Sequence, residues 1–214
     1  MHVVITGANR GIGLALFERY KAAGHTVTGT SRSGQGHFRL DVTQPEDHRG
    51  LSEAMGGNPV DLLVCNAGVY LDKGQPLGDG FRPEIWADTF NANVTGVFLT
   101  IQNLLPSLQR ASAPKIAIIS SKMGSQARAP GGSYVYRASK AAALNMGRNL
   151  ATDLAPLGMA LGIYHPGWVR TDMGGDGADI SVDQSADGLI AEFDRLSLET
   201  TGCFRGWDGE DLPL

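Results

Sequence analysis

The stretch Val3-Val4-Ile5-Thr6-Gly7-Ala8-Asn9-Arg10-Gly11-Ile12-Gly13 joins a β-branched run directly to a glycine-rich turn. The run predicts a short buried strand, and apolar residues at Ile12, Leu16 and Tyr20 predict a helix that stops at Gly24. This order begins a dinucleotide-binding unit, because glycines let the backbone approach a pyrophosphate and a helix N-terminus offers free N–H groups. The spacing is Gly-x-x-x-Gly-x-Gly rather than Gly-x-Gly-x-x-Gly, so a simple turn is the alternative.

Strand and helix patterns alternate along the rest of the chain. Short apolar or β-branched runs predict strands over 25–30, 37–40, 60–65, 115–120, 159–164 and 201–205. Helical periodicity predicts helices over 44–55, 83–108, 135–155 and 182–193, whereas segment 34–39 is too short for a crossover helix. Alternation of this kind predicts an α/β fold, a single-domain Rossmann-type doubly wound parallel sheet with helices on both faces. We find no linker or repeat, so residues 1–214 are predicted to form one domain.

The residues after the second predicted strand bear on cofactor choice. A unit that selects NAD has an acid about 20 positions beyond the glycines to bind the ribose 2′-OH. The only acid between the glycine turn and Asp41 is Glu18, which lies within the first predicted helix. Arg32 follows the strand instead and can bind a 2′-phosphate, with help from Arg10. The sequence therefore favours NADP(H) over NAD(H), unless both arginines are solvated loop residues.

A tyrosine and a lysine are spaced to meet on one helix. Tyr136 and Lys140 are four residues apart at the start of a predicted helix, so their side chains lie on the same face. A neighbouring ammonium favours a phenolate, so we expect the pKa of this tyrosine to fall below about 10. A tyrosine of this kind can exchange a proton with a substrate near neutral pH. Two unrelated surface residues are the alternative.

Composition excludes several other classes of protein. The chain has 214 residues and a formal net charge of −4, without a basic run, which argues against nucleic-acid binding. It contains no apolar run of about 18 residues for a membrane span, and the five histidines have no metal-ligand spacing. The two cysteines form no disulfide framework, and a strand begins almost at Met1. We therefore expect a cytoplasmic protein without a signal peptide or a metal.

Several motifs, taken in order, resemble the short-chain dehydrogenase/reductase family over essentially the whole chain. They are the turn Thr6–Gly13; Cys65-Asn66-Ala67-Gly68, in which Cys replaces the first Asn of Asn-Asn-Ala-Gly; Asn93 with Gly96; Ser121 with Tyr136-x-x-x-Lys140; and Pro166-Gly167-Trp168-Val169-x-Thr171. The short crossover and the ending 207–213 further resemble the branch of the bacterial C-factor signalling protein and small carbonyl reductases.

The resemblance implies a catalytic group of Asn93, Ser121, Tyr136 and Lys140. Tyr136 would be the general acid or base, Lys140 would lower its pKa and bind the nicotinamide ribose, and Ser121 would hold the substrate oxygen. Asn93 would place a water that connects Lys140 to solvent. The implied cofactor residues are Gly7, Asn9, Arg10, Gly11, Ile12, Gly13, Arg32, Asp41, Val42, Asn66, Ala67, Gly68, Tyr136, Lys140, Val169 and Thr171. By analogy, the helices over 83–108 and 135–155 would pair subunits in a homodimer.

Two hypotheses follow from these residues. The first is an oxidoreductase that transfers a hydride between NADP(H) and a small carbonyl or alcohol substrate. The second is a catalytically weak NADP(H)-binding signalling or sensor protein of the C-factor type. A sensor has no need of the four catalytic positions, all of which are present, so the enzyme is favoured.

Overall fold

The computed structural model describes residues 1–214 and contains a seven-stranded, fully parallel sheet. The strand order is β3-β2-β1-β4-β5-β6-β7. The strands are β1 (His2–Ile5), β2 (Thr26–Ser31), β3 (Phe38–Arg39), β4 (Leu62–Cys65), β5 (Lys115–Ile119), β6 (Ala160–His165) and β7 (Phe204–Gly206). The chain reverses its direction of progress across the sheet between β1 and β4, and the carboxyl ends of strands at such a point form a crevice.

Six α-helices cover both faces of the sheet. They are α1 (Gly11–Ala22), α2 (Pro45–Met55), α3 (Pro83–Phe90), α4 (Gly96–Leu108), α5 (Tyr134–Leu154) and α6 (Val182–Arg195). One apolar core joins α2, α4 and α5 to the sheet, and a second joins α1 and α6 to the opposite face. Adjacent strand residues alternate between the cores, as Val4 and Ile5 do in β1. The predicted Rossmann-type doubly wound sheet is confirmed.

The connection between β2 and β3 has no helix, as the sequence predicts. Gly34 and Gly36 both have positive φ in this short loop. The strand that follows is limited to two residues, Phe38 and Arg39, at the edge of the sheet. None of the helices is long and apolar enough to cross a lipid bilayer.

The helix predicted over 83–108 is wrong in one respect, because a π-helical turn over Asn91–Thr95 separates α3 from α4. The wider turn changes the direction of the side chains that follow, and Asn93 becomes buried. Trp86 and Phe98, two apolar residues that follow the helical period of this segment, are each 38% exposed. A strict helical period therefore fails at the turn that brings Asn93 into the interior.

Gly124 determines how closely α5 packs on the end of β5. A Cβ atom at this position would lie 2.6 Å from the carbonyl carbon of Lys140 and 2.7 Å from the amide nitrogen of Ala141. Both neighbours are backbone atoms of α5, so they cannot yield by a change of rotamer. The absence of a side chain at Gly124 therefore fixes the distance between the helix and the strand end.

Gly124→Ala is expected to lower the free energy of unfolding by about 1–3 kcal/mol, because the added methyl group overlaps the α5 backbone. Thermal or urea unfolding measures the change. The matched control is Gly78→Ala, where nothing lies within 4 Å of the added atom, and the expected change is within about 0.5 kcal/mol. Equal losses in the two variants would contradict the packing argument.

Candidate active site

A cleft of about 770 Å³ crosses the carboxyl edge of the sheet at the point where the strand order reverses. Of the predicted cofactor residues, all but one line it: Gly7, Asn9, Arg10, Gly11, Ile12, Gly13, Arg32, Asp41, Val42, Asn66, Ala67, Gly68, Tyr136, Lys140 and Thr171. No group of three or more His, Cys, Asp or Glu side chains is arranged to hold a metal ion. The cleft is the candidate site.

The glycine turn and the end of β4 form the floor of the cleft. Asn66 donates from Nδ2 to the carbonyl oxygens of Thr6 and Gly7 at 2.9 and 3.1 Å. Thr6 Oγ1 accepts from the amides of Asn66 and Ala67, both at 3.0 Å. A Cβ atom on Gly13 would lie 2.2 Å from the Gly7 carbonyl oxygen. Only glycine allows this approach, so the turn and Asn66 form one rigid unit.

The N-terminus of α1 opens into this cleft without a competing anion. The helix has no side-chain hydrogen bond at its N-cap, Arg10, and no acidic residue in its first turn. Its leading N–H groups and the positive end of its dipole are therefore available to a phosphate group. The residues present fit the pyrophosphate of a dinucleotide.

Several charged residues lie near the carboxyl end of β2. Arg32 is exposed and forms no salt bridge, while Arg10 donates to Asp172 at 2.8 Å. Burial pushes the pKa of Asp41 upward, but hydrogen bonds from Thr43 and the charges of Arg32 and Arg39 outweigh it and lower that pKa. Arg32 is therefore a cation near the end of β2 that forms no salt bridge, whereas Arg10 forms one with Asp172 in the segment after β6.

Val169 is the predicted cofactor residue that lies outside the cleft. Its side chain is 4% exposed, and it forms a bridge with Ile180. Its carbonyl oxygen accepts a hydrogen bond from Thr171 Oγ1 at 3.3 Å. The neighbouring Arg170 and Thr171 line the cleft instead. Val169 is therefore buried beside Ile180 and does not face the cleft.

Tyr136 and Lys140 lie on the inner side of α5, 8% and 6% exposed. Lys140 Nζ is 5.7 Å from the centroid of the Tyr136 ring and donates to the Ile119 carbonyl oxygen at 2.9 Å. Burial lowers the pKa of Lys140 to about 8 and raises the pKa of Tyr136 to about 12. The expected low tyrosine pKa is therefore wrong, because loss of solvent outweighs the attraction of an ammonium held by another acceptor.

Ser121 approaches Tyr136 from the end of β5. Burial is the main influence on the Tyr136 pKa, and a hydrogen bond with Ser121 opposes it by lowering that pKa. The Ser121 hydroxyl also accepts from the Met123 amide at 3.1 Å, which fixes its direction. The Ser121 hydroxyl therefore lies beside the Tyr136 phenol, although Ser121 itself does not line the cleft.

Asn93 lies beneath the cleft and not in its wall. Its side chain pairs with the backbone of Val69, accepting from the amide at 2.8 Å and donating to the carbonyl at 2.9 Å. It also donates to Ser139 Oγ at 3.0 Å. No hydrogen bond connects it directly to Lys140, although a Cβ atom on Gly68 would lie 3.0 Å from Asn93 Oδ1 and 3.6 Å from Lys140 Nζ. The structure brings both side chains around Gly68.

The sequence pattern missed two residues of the loop after β4. Segment 69–82 is predicted as a surface loop, yet Asp72 is fully buried and accepts from the amides of Val135 and Tyr136 at 2.8 and 3.2 Å. Tyr70 stacks on Tyr136 with ring centroids 4.2 Å apart. The only signal in the sequence is their spacing of two residues, which orients both side chains to the same side of an extended segment.

Comparison with known proteins gives consistent relatives. The family model for short chain dehydrogenases matches residues 1–179. C-signal of Myxococcus xanthus is 40% identical over 157 residues, covering 72% of this chain and 93% of that protein. The 3-oxoacyl-[acyl-carrier-protein] reductase FabG of Escherichia coli is 30% identical over 204 residues, covering 88% and 80%.

Solved structures agree over the full length. The NADPH-bound carbonyl reductase from chicken fatty liver is 28% identical with a TM-score of 0.90, covering 100% of this chain and 98% of that one. The carbonyl reductase Sniffer of D. melanogaster is 26% identical with a TM-score of 0.90, covering 100% and 99%. With its sheet, glycine turn and matched family region, this chain belongs to the short-chain dehydrogenase family.

Proposed function

We propose that the protein is an NADP(H)-dependent oxidoreductase that transfers a hydride between the cofactor and a small carbonyl or alcohol substrate. The observation that carries the proposal is a buried phenol, Tyr136, with the Ser121 hydroxyl beside it and the Lys140 ammonium under its ring. These groups lie where a dinucleotide cleft ends. A sensor of nucleotide has no use for a proton donor at this place.

The residues that line the cleft support NADP(H) as the cofactor. The glycine turn and the α1 N-terminus would hold the pyrophosphate, and the unpaired Arg32 would bind the 2′-phosphate. Asp41 and Val42, which line the cleft, would face the adenine, and Lys140, which also lines it, would bind the nicotinamide ribose. The bound cofactor would supply the hydride. NADPH or NADP in solved relatives supports the same choice.

Side chains of the protein would bind the carbonyl oxygen of the substrate and deliver a proton to it. Ser121 would donate a hydrogen bond to the carbonyl oxygen while negative charge develops on it. Tyr136, whose pKa is about 12 because it is buried, keeps its proton at neutral pH and can deliver it to that oxygen. Lys140 would return a proton to Tyr136, since its own pKa of about 8 allows exchange near neutrality. Asn93 would fix Val69 and Ser139 beside this path.

The burial of Tyr136 favours carbonyl reduction over alcohol oxidation. Reduction requires the protonated phenol, which burial stabilises, whereas oxidation requires the phenolate. The carbonyl reductases and 3-oxoacyl reductases among the relatives support a substrate with a reducible carbonyl.

Assembly and location complete the proposal. Residues 1–214 act as one NADP(H)-binding domain, and a homodimer would cover Trp86 and Phe98, which are exposed on α3 and α4. A reducing cytoplasm suits Cys65 and Cys203, which are both free thiols.

A second function, NADP(H)-dependent signalling without turnover, is favoured by the similarity to C-signal. The two functions differ in one measurement. A reductase oxidises NADPH in the presence of aldehydes, ketones or quinones, whereas a sensor binds NADPH tightly and oxidises none of them.

Tyr136→Phe is expected to lower carbonyl-dependent NADPH oxidation by about 10²–10⁴-fold, because the proton donor is lost. Binding of NADPH, followed by fluorescence, is expected to change little. The matched control is Tyr134→Phe, since Tyr134 is two residues earlier and 40% exposed. Unchanged turnover in Tyr136→Phe would contradict the proposed mechanism.

Arg32→Ala is expected to weaken NADPH binding about 10- to 100-fold and to leave NADH binding nearly unchanged. The loss corresponds to charge-assisted hydrogen bonds to the 2′-phosphate, worth about 1.5–3 kcal/mol. Titration calorimetry with both cofactors measures it. Arg39→Ala removes the same charge from outside the cleft, where Arg39 faces Asp47 at 3.6 Å, and serves as the control. Equal losses for NADPH and NADH would refute the assignment.

The kcat/KM for NADPH in carbonyl reduction, which reports ionisations of the free enzyme, is expected to be level below about pH 8 and to fall above it. Burial lowers the pKa of Lys140 to about 8, so the ammonium loses its proton as the pH rises past that value. Tyr136 stays protonated over the same range because its pKa is about 12. Steady-state rates between about pH 6 and 10 measure the profile. A rate that rises throughout this range would contradict a protonated Lys140.

A further inference from the structure

The first turn of α5 is capped by a residue from a distant part of the chain. Its own N-cap, Ser133, has a left-handed φ of +50° and makes no side-chain cap. Asp72 takes this role and accepts from the amides of Val135 at 2.8 Å and Tyr136 at 3.2 Å. These are the second and third residues of the helix, the N–H groups that an N-cap side chain normally satisfies.

The same loop also holds the side chain of Tyr136. The Tyr70 ring stacks on the Tyr136 ring with centroids 4.2 Å apart and an angle of 21° between planes. The Tyr70 hydroxyl is also hydrogen-bonded to Ser133 Oγ. The Tyr70 side chain is therefore held both by the stacking of its ring and by its hydroxyl group. Tyr70 and Asp72 therefore restrain the ring and the backbone of one residue, Tyr136.

Asp72 is fully buried and has no cationic partner in any salt bridge. Burying an unpaired carboxylate is costly unless hydrogen bonds and a favourable dipole compensate for the lost water. The two amides and the positive end of α5 supply that compensation. A serine or asparagine caps a helix about as well, so capping alone does not require a carboxyl group at this position.

We propose that Tyr70 and Asp72 are positioning residues for the proton donor: Asp72 anchors the first turn of α5 and its charge opposes formation of a phenolate at Tyr136, while Tyr70 fixes the ring. The inference rests on the proposed function, in which Tyr136 gives its proton to a substrate oxygen. The loop after β4 thereby keeps Tyr136 protonated until a substrate is bound.

The groups that face Tyr136 come from three elements. Lys140 lies 5.7 Å from the ring centroid on the same helix, Ser121 comes from the end of β5, and Tyr70 and Asp72 come from the loop after β4. Burial is the main cause of the raised Tyr136 pKa, the Ser121 hydrogen bond lowers it, and Tyr70 and Asp72 raise it further. Of these groups, Asp72 is the only one with a carboxyl side chain.

The test is the ionisation of Tyr136 in the unliganded protein, which requires no turnover. Tyrosine labelled with ¹³C in the ring gives a resonance for each of the five tyrosines, and Tyr136→Phe assigns the signal. In Asp72→Asn, the ratio of phenolate to phenol at a fixed alkaline pH is expected to rise about three- to tenfold, which is about half a pKa unit to one unit.

Asp79→Asn is the matched control, because Asp79 belongs to the same loop, undergoes the same chemical change and is exposed. Its Tyr136 signal should titrate as in the wild type. If Asp72→Asn does not fold, Asp72→Ser retains a short capping oxygen without the charge and should give the same rise. An unchanged or lower ratio in a folded neutral variant would overturn the role of the charge.

Tyr70→Leu tests the second half of the proposal. Removing the stacked ring is expected to lower kcat about two- to tenfold, the worth of one aromatic pair, with the Kd for NADPH unchanged. Tyr134→Leu, which removes a neighbouring exposed ring, is the control. A loss of NADPH affinity as large as the loss of kcat would indicate a general disruption and refute positioning. Absence of turnover in the wild type would refute the proposed function and leave the Asp72 titration as a separate result.

Discussion

The close approach of two backbone segments, the glycine turn after β1 and the start of the loop after β4, is the constraint on which the site depends. A Cβ atom on Gly13 would lie 2.2 Å from the Gly7 carbonyl oxygen and 2.5 Å from Asn66 Nδ2. Because no side chain fits, Asn66 can bind both turn carbonyls, and the α1 N-terminus faces the cleft. In a parallel sheet the carboxyl ends of the strands lie at one edge, and this contact between the two segments forms the floor of the cleft there.

Removal of water sets the chemistry at the other end of the cleft. Lys140 and Tyr136 are both buried, and burial disfavours the charged form of each, so the lysine pKa falls to about 8 while the tyrosine pKa rises to about 12. The lysine therefore exchanges its proton nearer to neutral pH than the tyrosine does. The same effect explains why helical spacing alone overestimated the influence of the ammonium on the phenol.

The loop after β4 contacts both ends of the cleft. Its first residues, Asn66 and Gly68, belong to the cleft, the backbone of Val69 pairs with Asn93, and Asp72 reaches the first turn of α5. A single extended segment thus contacts the glycine turn, the π-helical turn and the helix that carries Tyr136 and Lys140. Gly124 completes the arrangement from the opposite side, where α5 packs on the end of β5 without room for a Cβ atom.

Local patterns in the sequence determined the parallel sheet, the glycine turn, the missing crossover helix and the common face of Tyr136 and Lys140. The sheet follows from the alternation of strand and helix patterns along the chain, and the other features depend on residues within a few positions of one another, where periodicity and turn chemistry are decisive. The tertiary structure alone decided the inward turn of Asn93, the pairing of Arg10 with Asp172 and the burial of Val169 and Asp72. Asp72 meets α5 across 63 residues of chain. Such contacts depend on how distant segments pack and on how much water they exclude, and no local pattern encodes either.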